Sequence, residues 1–148
     1  MLTRRTDVTL GPPLDGKGDL LVSPVLVDGA QTGLTVNGID LGPVFATPHG
    51  TLLFVEYGDD WEQSLTITLA DADMKALDSA TLGASGASGH LQKVQEAGPD
   101  SVRFAFFGER TWLLKLHHTP RFVVPFAAAG LGIQRPFQWR RWFSVGPA

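Results

Sequence analysis

In SLTITLADADMKALDSATLG, residues 64–83, a clear strand signal runs directly into the one good helix signal of the chain. Leu65, Ile67 and Leu69 alternate with Thr66 and Thr68, the period of a strand with one apolar face. Asp71 then stands where a helix N-cap would, and Asp73 falls in the first turn. Met74, Leu77 and Thr81 share one helical face, and Gly83 is placed to end it. A short helix of this kind covers one side of a sheet. A doubly wound parallel sheet would need several crossover helices, so the spacing predicts a mostly antiparallel arrangement instead.

Outward from this segment the chain reads as short strands cut by turns. TLLFVEY (51–57) is a strand closed by a GDDW turn. In LLVSPVLV (20–27), Pro24 cannot donate to a ladder, which predicts an edge or bulged strand. Asn37-Gly38 supplies the positive-φ pair of a two-residue hairpin, and GPPLDGKGD (11–19) reads as a loop. GASGASG (83–89) is a flexible loop inside one domain, because the 59 residues beyond it make a marginal domain alone. HLQKVQEAG (90–98) leans to strand. SVRFAFFGERTWLLKLHH (101–118) is the clearest hairpin, with Gly108 in a type II′ turn that sets Phe104 opposite Leu113 and Arg103 opposite Leu114. Thr119-Pro120 breaks the chain before an edge strand, RFVVPF (121–126). The expected product is a single domain, 1–148, of the α+β class. It would be a rolled antiparallel sheet or small barrel of about eight short strands with one short helix.

The 148 residues are 43% hydrophobic and 18% charged, which describes a folded globular chain. With no cysteine, disulfides and thiolate chemistry are excluded. No apolar run approaches the ~20 residues of a transmembrane helix, and MLTRRTDVTLGPP lacks the apolar core of a secretory signal. A cytoplasmic protein without membrane contact is expected. The net charge of −3 hides an asymmetry, with nearly all acidic residues in 1–100 and seven of the twelve basic ones in 101–148. Either the C-terminal third binds a polyanion, or the two parts of one fold neutralise each other.

Motifs for catalysis are sparse. HExxH, G-x-S-x-G, P-loop and dinucleotide fingerprints are absent, and no cofactor is expected. His49, in the TPHG turn, and the adjacent His117 and His118 are the candidates for a small hydrolase or a metal-dependent enzyme. Neighbouring strand residues point to opposite faces, however, so His117 and His118 would not share a metal. The acidic EYGDDWE (56–62) reads as a turn, with Glu56, Asp59, Asp60 and Glu62 as partners for the basic end.

That basic end carries the sharper signal. Arg103, Arg110, Lys115, Arg121, Arg135, Arg140 and Arg141 interleave with Trp112, Phe137, Trp139 and Trp142. Arginine neutralises phosphate and aromatic rings stack on bases, so single-stranded nucleic acid or another polyanion is one expected ligand. Arg103, Arg110, Arg121, Arg135, Trp139, Arg140, Arg141 and Trp142 are the candidate binding residues. The alternative packs the tryptophans into the sheet and leaves the arginines to snorkel or pair internally. The leading expectation is therefore a non-catalytic interaction or structural domain, pairing with a second copy or a protein partner.

Overall fold

The computed structural model describes residues 2–15, 21–58, 63–83, 90–106, 110–122, 133–135 and 140–148. Its strands are β1 (Thr3–Arg4), β2 (Val8–Leu10), β3 (Leu14–Asp15), β4 (Leu21–Val27), β5 (Ala30–Asn37), β6 (Asp40–Thr47) and β7 (Gly50–Gly58). They continue with β8 (Gln63–Ala70), β9 (Ala76–Gly83), β10 (Gln92–Glu96), β11 (Ser101–Ala105), β12 (Thr111–Phe122), β13 (Ile133–Gln134) and β14 (Arg140–Pro147). Every pairing is antiparallel. The central sheet runs β1-β6-β7-β8-β9-β13. A second runs β10-β11-β12-β14, and in a third β4 pairs with β2 and β3 on one side and β5 on the other.

The α+β expectation is overturned: among the described residues there is no helix, and residues 76–83 form β9. The rolled sheet or barrel is corrected too, to three sheets of which none closes. Asp71 does bond the backbone just ahead of it, as a cap would. Its Oδ1 accepts from the Asp73 and Lys75 N–H groups, both at 2.9 Å. The Met74 N–H bonds the Asp71 carbonyl at 3.0 Å, and Met74 turns through φ 58°. The same side-chain chemistry serves a turn as readily as a helix start. Here the turn returns the chain onto β8, and seven of the eight residues of β9 take up the ladder, Leu77 being passed over at a register shift.

Two apolar layers flank the central sheet, which explains why its strands are buried on both faces. Leu52, Phe54, Leu65, Ile67, Leu69, Ala80 and Leu82 face Val102, Phe104, Trp112, Leu114 and Phe143 of the second sheet. Phe54 meets Phe104 edge to face at 5.5 Å between ring centres. On the other side Val44, Leu53, Val55 and Ala70 face Val8, Val25, Leu34 and Val36 of the third sheet. The alternation of SLTITL therefore holds, but its threonine face is covered as well: Thr66 and Thr68 are buried.

Local expectations fared unevenly. Pro24 is at a bulge, since the β4–β5 register shifts beside it, but β4 is central in its sheet rather than an edge. The Pro24 carbonyl accepts the Gly11 N–H at 2.8 Å, so the missing N–H falls at the gap between β2 and β3. Of the expected positive-φ pair only Gly38 has positive φ, at 123°, and β5 and β6 pair with different strands and make no hairpin. A Cβ at Gly38 would meet the Glu56 carbonyl oxygen at 2.8 Å, so this crossing between sheets needs glycine. HLQKVQEAG contains β10 as expected. The β11–β12 hairpin is present one residue out of the expected register, with Phe104 opposite Trp112 and Arg103 opposite Leu113. The Gly108 turn, the GASGASG loop beyond Gly83, Asp59, Asp60 and Glu62, and 123–126 lie outside the described residues.

Thr119-Pro120 does not end its strand. Leu116 pairs with Phe143 and Arg121 with Arg141, so residues 117–120 of β12 stand against Trp142 alone on β14. This wide bulge pushes His117-His118-Thr119-Pro120 out of the ladder, where proline is tolerated.

Candidate functional site

On β9, Asp78, Ala80 and Leu82 lie on one face, turned toward the second sheet. The Asp78 side chain is fully buried, 0% exposed, and a buried carboxylate requires partners. Its Oδ2 accepts from Arg135 Nη2 at 2.6 Å and from the Trp142 backbone N–H at 2.9 Å. Its Oδ1 accepts from the Ser79 N–H at 2.8 Å and from Arg141 Nη1 at 3.4 Å. Arg135 also donates from Nε to the Ser79 carbonyl at 2.7 Å and from Nη2 to the Phe143 carbonyl at 3.1 Å. Its guanidinium lies 4.6 Å from the centre of the Phe143 ring. Burial pulls the Arg135 pKa down from its ordinary value, and Asp78 opposes that shift. The result is a clasp: one carboxylate and one guanidinium join β9 to β14 where no ladder does.

The candidate residues fall into two groups. Arg135, Arg141 and Trp142 converge on Asp78. Arg103, Arg110, Arg121 and Arg140 are exposed and spread across the second sheet and its edges. Arg110 lies 5.8 Å over the Trp112 ring, Arg121 stands opposite Arg141, and Arg140 opposite Phe122. Trp139 lies outside the described residues. The internal partner is Asp78 rather than Glu56, whose carboxylate bonds His90 and the Leu91 N–H, each at 3.2 Å. Reading residues 76–83 as a helix hid Asp78. Read with period two, an aspartate in line with Ala80 and Leu82 on an apolar face is the signal that finds it.

The histidines form a second feature. Pro48 and His49 tip the two-residue turn between β6 and β7, where Thr47 Oγ1 accepts from the His49 and Gly50 N–H groups, both at 3.1 Å. His49 Nε2 donates to the His117 carbonyl at 2.6 Å, and its ring meets Trp142 edge-on at 5.1 Å. A carbonyl only accepts, so the proton of His49 sits on Nε2. The β12 bulge brings both His117 and His118 to a cleft that Pro48, His49, Pro99, Asp100 and Leu116 complete. His117 is 8% exposed, and its pKa is lowered by burial first and then by Arg121, Lys115 and Arg135. Among the described residues no group of His, Asp and Glu is arranged to hold a metal ion.

A third feature is an open strand edge. β5, AQTGLTVN, carries no charged residue and no proline. Since Pro24 stands opposite Thr35 and turns its carbonyl to Gly11, the Thr35 N–H and C=O point away from β4, to the open side. Among the described residues, Leu14 and Ile39, 54% and 40% exposed, are the large exposed apolar side chains; Ile39 follows the Asn37 end of β5, and Leu14 lies across β4 from it.

Compared with known protein families, with curated proteins and with solved structures, the chain finds no match. Among the described residues, no helix is long and apolar enough to cross a membrane.

Proposed function

We propose that the protein is a non-catalytic interaction domain that pairs with a second copy of itself by strand addition at β5. One observation carries this reading: β5 is an eight-residue edge strand without charge or proline. Edge strands are ordinarily kept single by such residues, because their unpaired backbone groups are a template for another strand. An uncharged edge is complementary to itself, and antiparallel pairing about Thr35 gives the two-fold symmetry of a closed dimer. Ile39, two residues beyond β5, adds exposed apolar surface next to its Asn37 end. The test is sedimentation equilibrium across roughly 1 µM to 1 mM, the range of weak to moderate association. A mass rising toward twice the monomer, and abolished by Thr35→Pro, supports the reading. A monomer throughout sinks it.

The exposed arginines favour a second reading, polyanion binding by charge. Arg103 and Lys115 are exposed in rows with Gln95, Leu113, Gly146, Ser101 and Ser144, which include no acid. Phe104, Trp112 and Phe143 are fully buried and offer no stacking platform. Binding of single-stranded DNA at low salt, with affinity falling steeply as salt rises, would support it. No binding at low salt removes it.

A further inference from the structure

The third sheet has a second uncharged surface, its outer face. Side chains alternate along β4, so Ser23, Val25 and Val27 turn inward to the central sheet while Val22, Pro24 and Leu26 turn outward. Their cross-strand partners share that face: Leu14 and Asn37 flank Val22, Thr35 stands beside Pro24, and Thr9 and Gln31 flank Leu26. Exposure agrees, since Thr9, Gln31, Thr35 and Asn37 are exposed and Leu14 is the most exposed large apolar side chain described. Leu14, Val22, Pro24 and Leu26 belong to neither apolar layer of the core. No charged residue falls in these three rows.

The solvated face of an antiparallel sheet is ordinarily polar. An apolar column within an uncharged polar border is instead the composition of an interface core and its rim. The missing charge selects the partner as well. Such a face offers nothing to a nucleic acid, an anionic lipid surface or a charged peptide, and it is complementary to itself. The β5 edge supplies a second argument. Its eight residues fall well short of the ~20–30 residues a side of a stable interface. Antiparallel pairing about Thr35 sets a two-fold axis perpendicular to the sheet, so the outer faces of both copies turn the same way. The joined sheet therefore presents the β4 column twice on one continuous surface.

We propose that the outer face of the third sheet is a second self-interface, through which two β5-paired dimers stack face to face into a closed tetramer. This inference rests on strand addition at β5. The stacked sheets lie ~10 Å apart, the ordinary spacing of packed sheets. A two-fold axis between them, crossing the first at right angles, closes the assembly at four copies. Four apolar side chains from one monomer make a weak contact. Presented twice by a paired dimer, the second contact becomes intramolecular and the two reinforce each other. Loss of the edge therefore removes the stacking too.

The test is sedimentation equilibrium of the whole chain and of its Leu26→Lys and Thr35→Pro variants, over roughly 1 µM to 1 mM. The unaltered chain is expected to pass twice the monomer mass and approach four times. Leu26→Lys should stop at two copies and Thr35→Pro at one. Burying four unpaired charges per tetramer should weaken the dimer–tetramer step at least about tenfold. Should Leu26→Lys not fold, Thr9→Lys places the charge on an exposed side chain of the same row and should act in the same direction. A plateau at two copies that Thr35→Pro abolishes would overturn the stacking and leave the β5 reading intact. A tetramer that both lysine substitutions leave unchanged would also overturn it. Association that survives Thr35→Pro but is lost in Leu26→Lys would sink the β5 reading and the tetramer with it. A monomer throughout ends both.

Discussion

Strands β14 and β5 each run eight residues along the border of a sheet, and their outer edges are treated in opposite ways. On β14 the Trp142 N–H is taken by Asp78 and the Phe143 carbonyl by Arg135, so two side chains from another layer stand in for a neighbouring strand. On β5 the Thr35 backbone faces outward, and no described residue pairs with that edge. The chain has thus used part of its basic end to seal one border and left the other uncharged. Arg135 and Arg141 are structural cations first, because the carboxylate that meets them is wholly buried. Charge counted along a sequence does not distinguish such a cation from one facing solvent.

The largest expected effect comes from breaking the sealed edge. Asp78→Ala leaves the Arg135 cation buried without its partner and should cost about 3–5 kcal/mol, read by urea denaturation. Replacing both, as Asp78→Leu with Arg135→Met, should recover most of that loss because neither charge is then stranded. A loss below about 1 kcal/mol for Asp78→Ala would remove the clasp from the account. If the clasp also protects β14, the variant should gain concentration-dependent mass of its own.

At the bare edge, Thr35→Pro removes an outward N–H that β4 does not use. It should convert a dimer to a monomer in sedimentation while the monomer's stability changes by about 0.5 kcal/mol or less. Thr35→Lys should act in the same direction by placing charge on the edge. A dimer that survives both changes would move the interface elsewhere.

A smaller effect concerns pH. Folding holds His117 neutral below its ordinary pKa of 6.5, whereas the unfolded chain protonates it there. The unfolded state therefore binds more protons below that value, and stability is lost as pH falls through and below about 6.5. Thermal melts between pH 8 and pH 5 should show a decline that His117→Gln makes shallower. Identical profiles for the two proteins would count against a buried neutral ring. The smallest effect is expected at Arg103→Ala and Lys115→Ala, exposed positions whose loss should change stability by about 0.5 kcal/mol or less. These two substitutions sharpen the contrast with Arg135.

Much of the strand content was readable. The alternation of 64–69, the β10 segment and the bulge at Pro24 rest on local rules that the structure obeys, whereas the Asn37-Gly38 hairpin does not form. The misreading of 76–83 has a definite cause. Asp71 accepts backbone N–H groups in a turn or a helix start alike, and Leu77 with Thr81 fits a helical face as well as a strand. That single error also concealed Asp78 and with it the clasp. The His117–His118 pair was read by the rule of regular strands, and a bulge of four residues against one cancelled that rule.

The sequence alone determined an antiparallel, turn-rich chain without thiol chemistry and with its positive charge gathered at the end. Only the tertiary structure decided that the sheets stack in three layers, because burial on both faces of β7 and β8 depends on what packs over them. It also decided that Arg135 and Arg141 of the basic end close on Asp78, since a carboxylate selects its cation by proximity in space, and residues 78 and 135, far apart in sequence, are brought together where β13 pairs with β9.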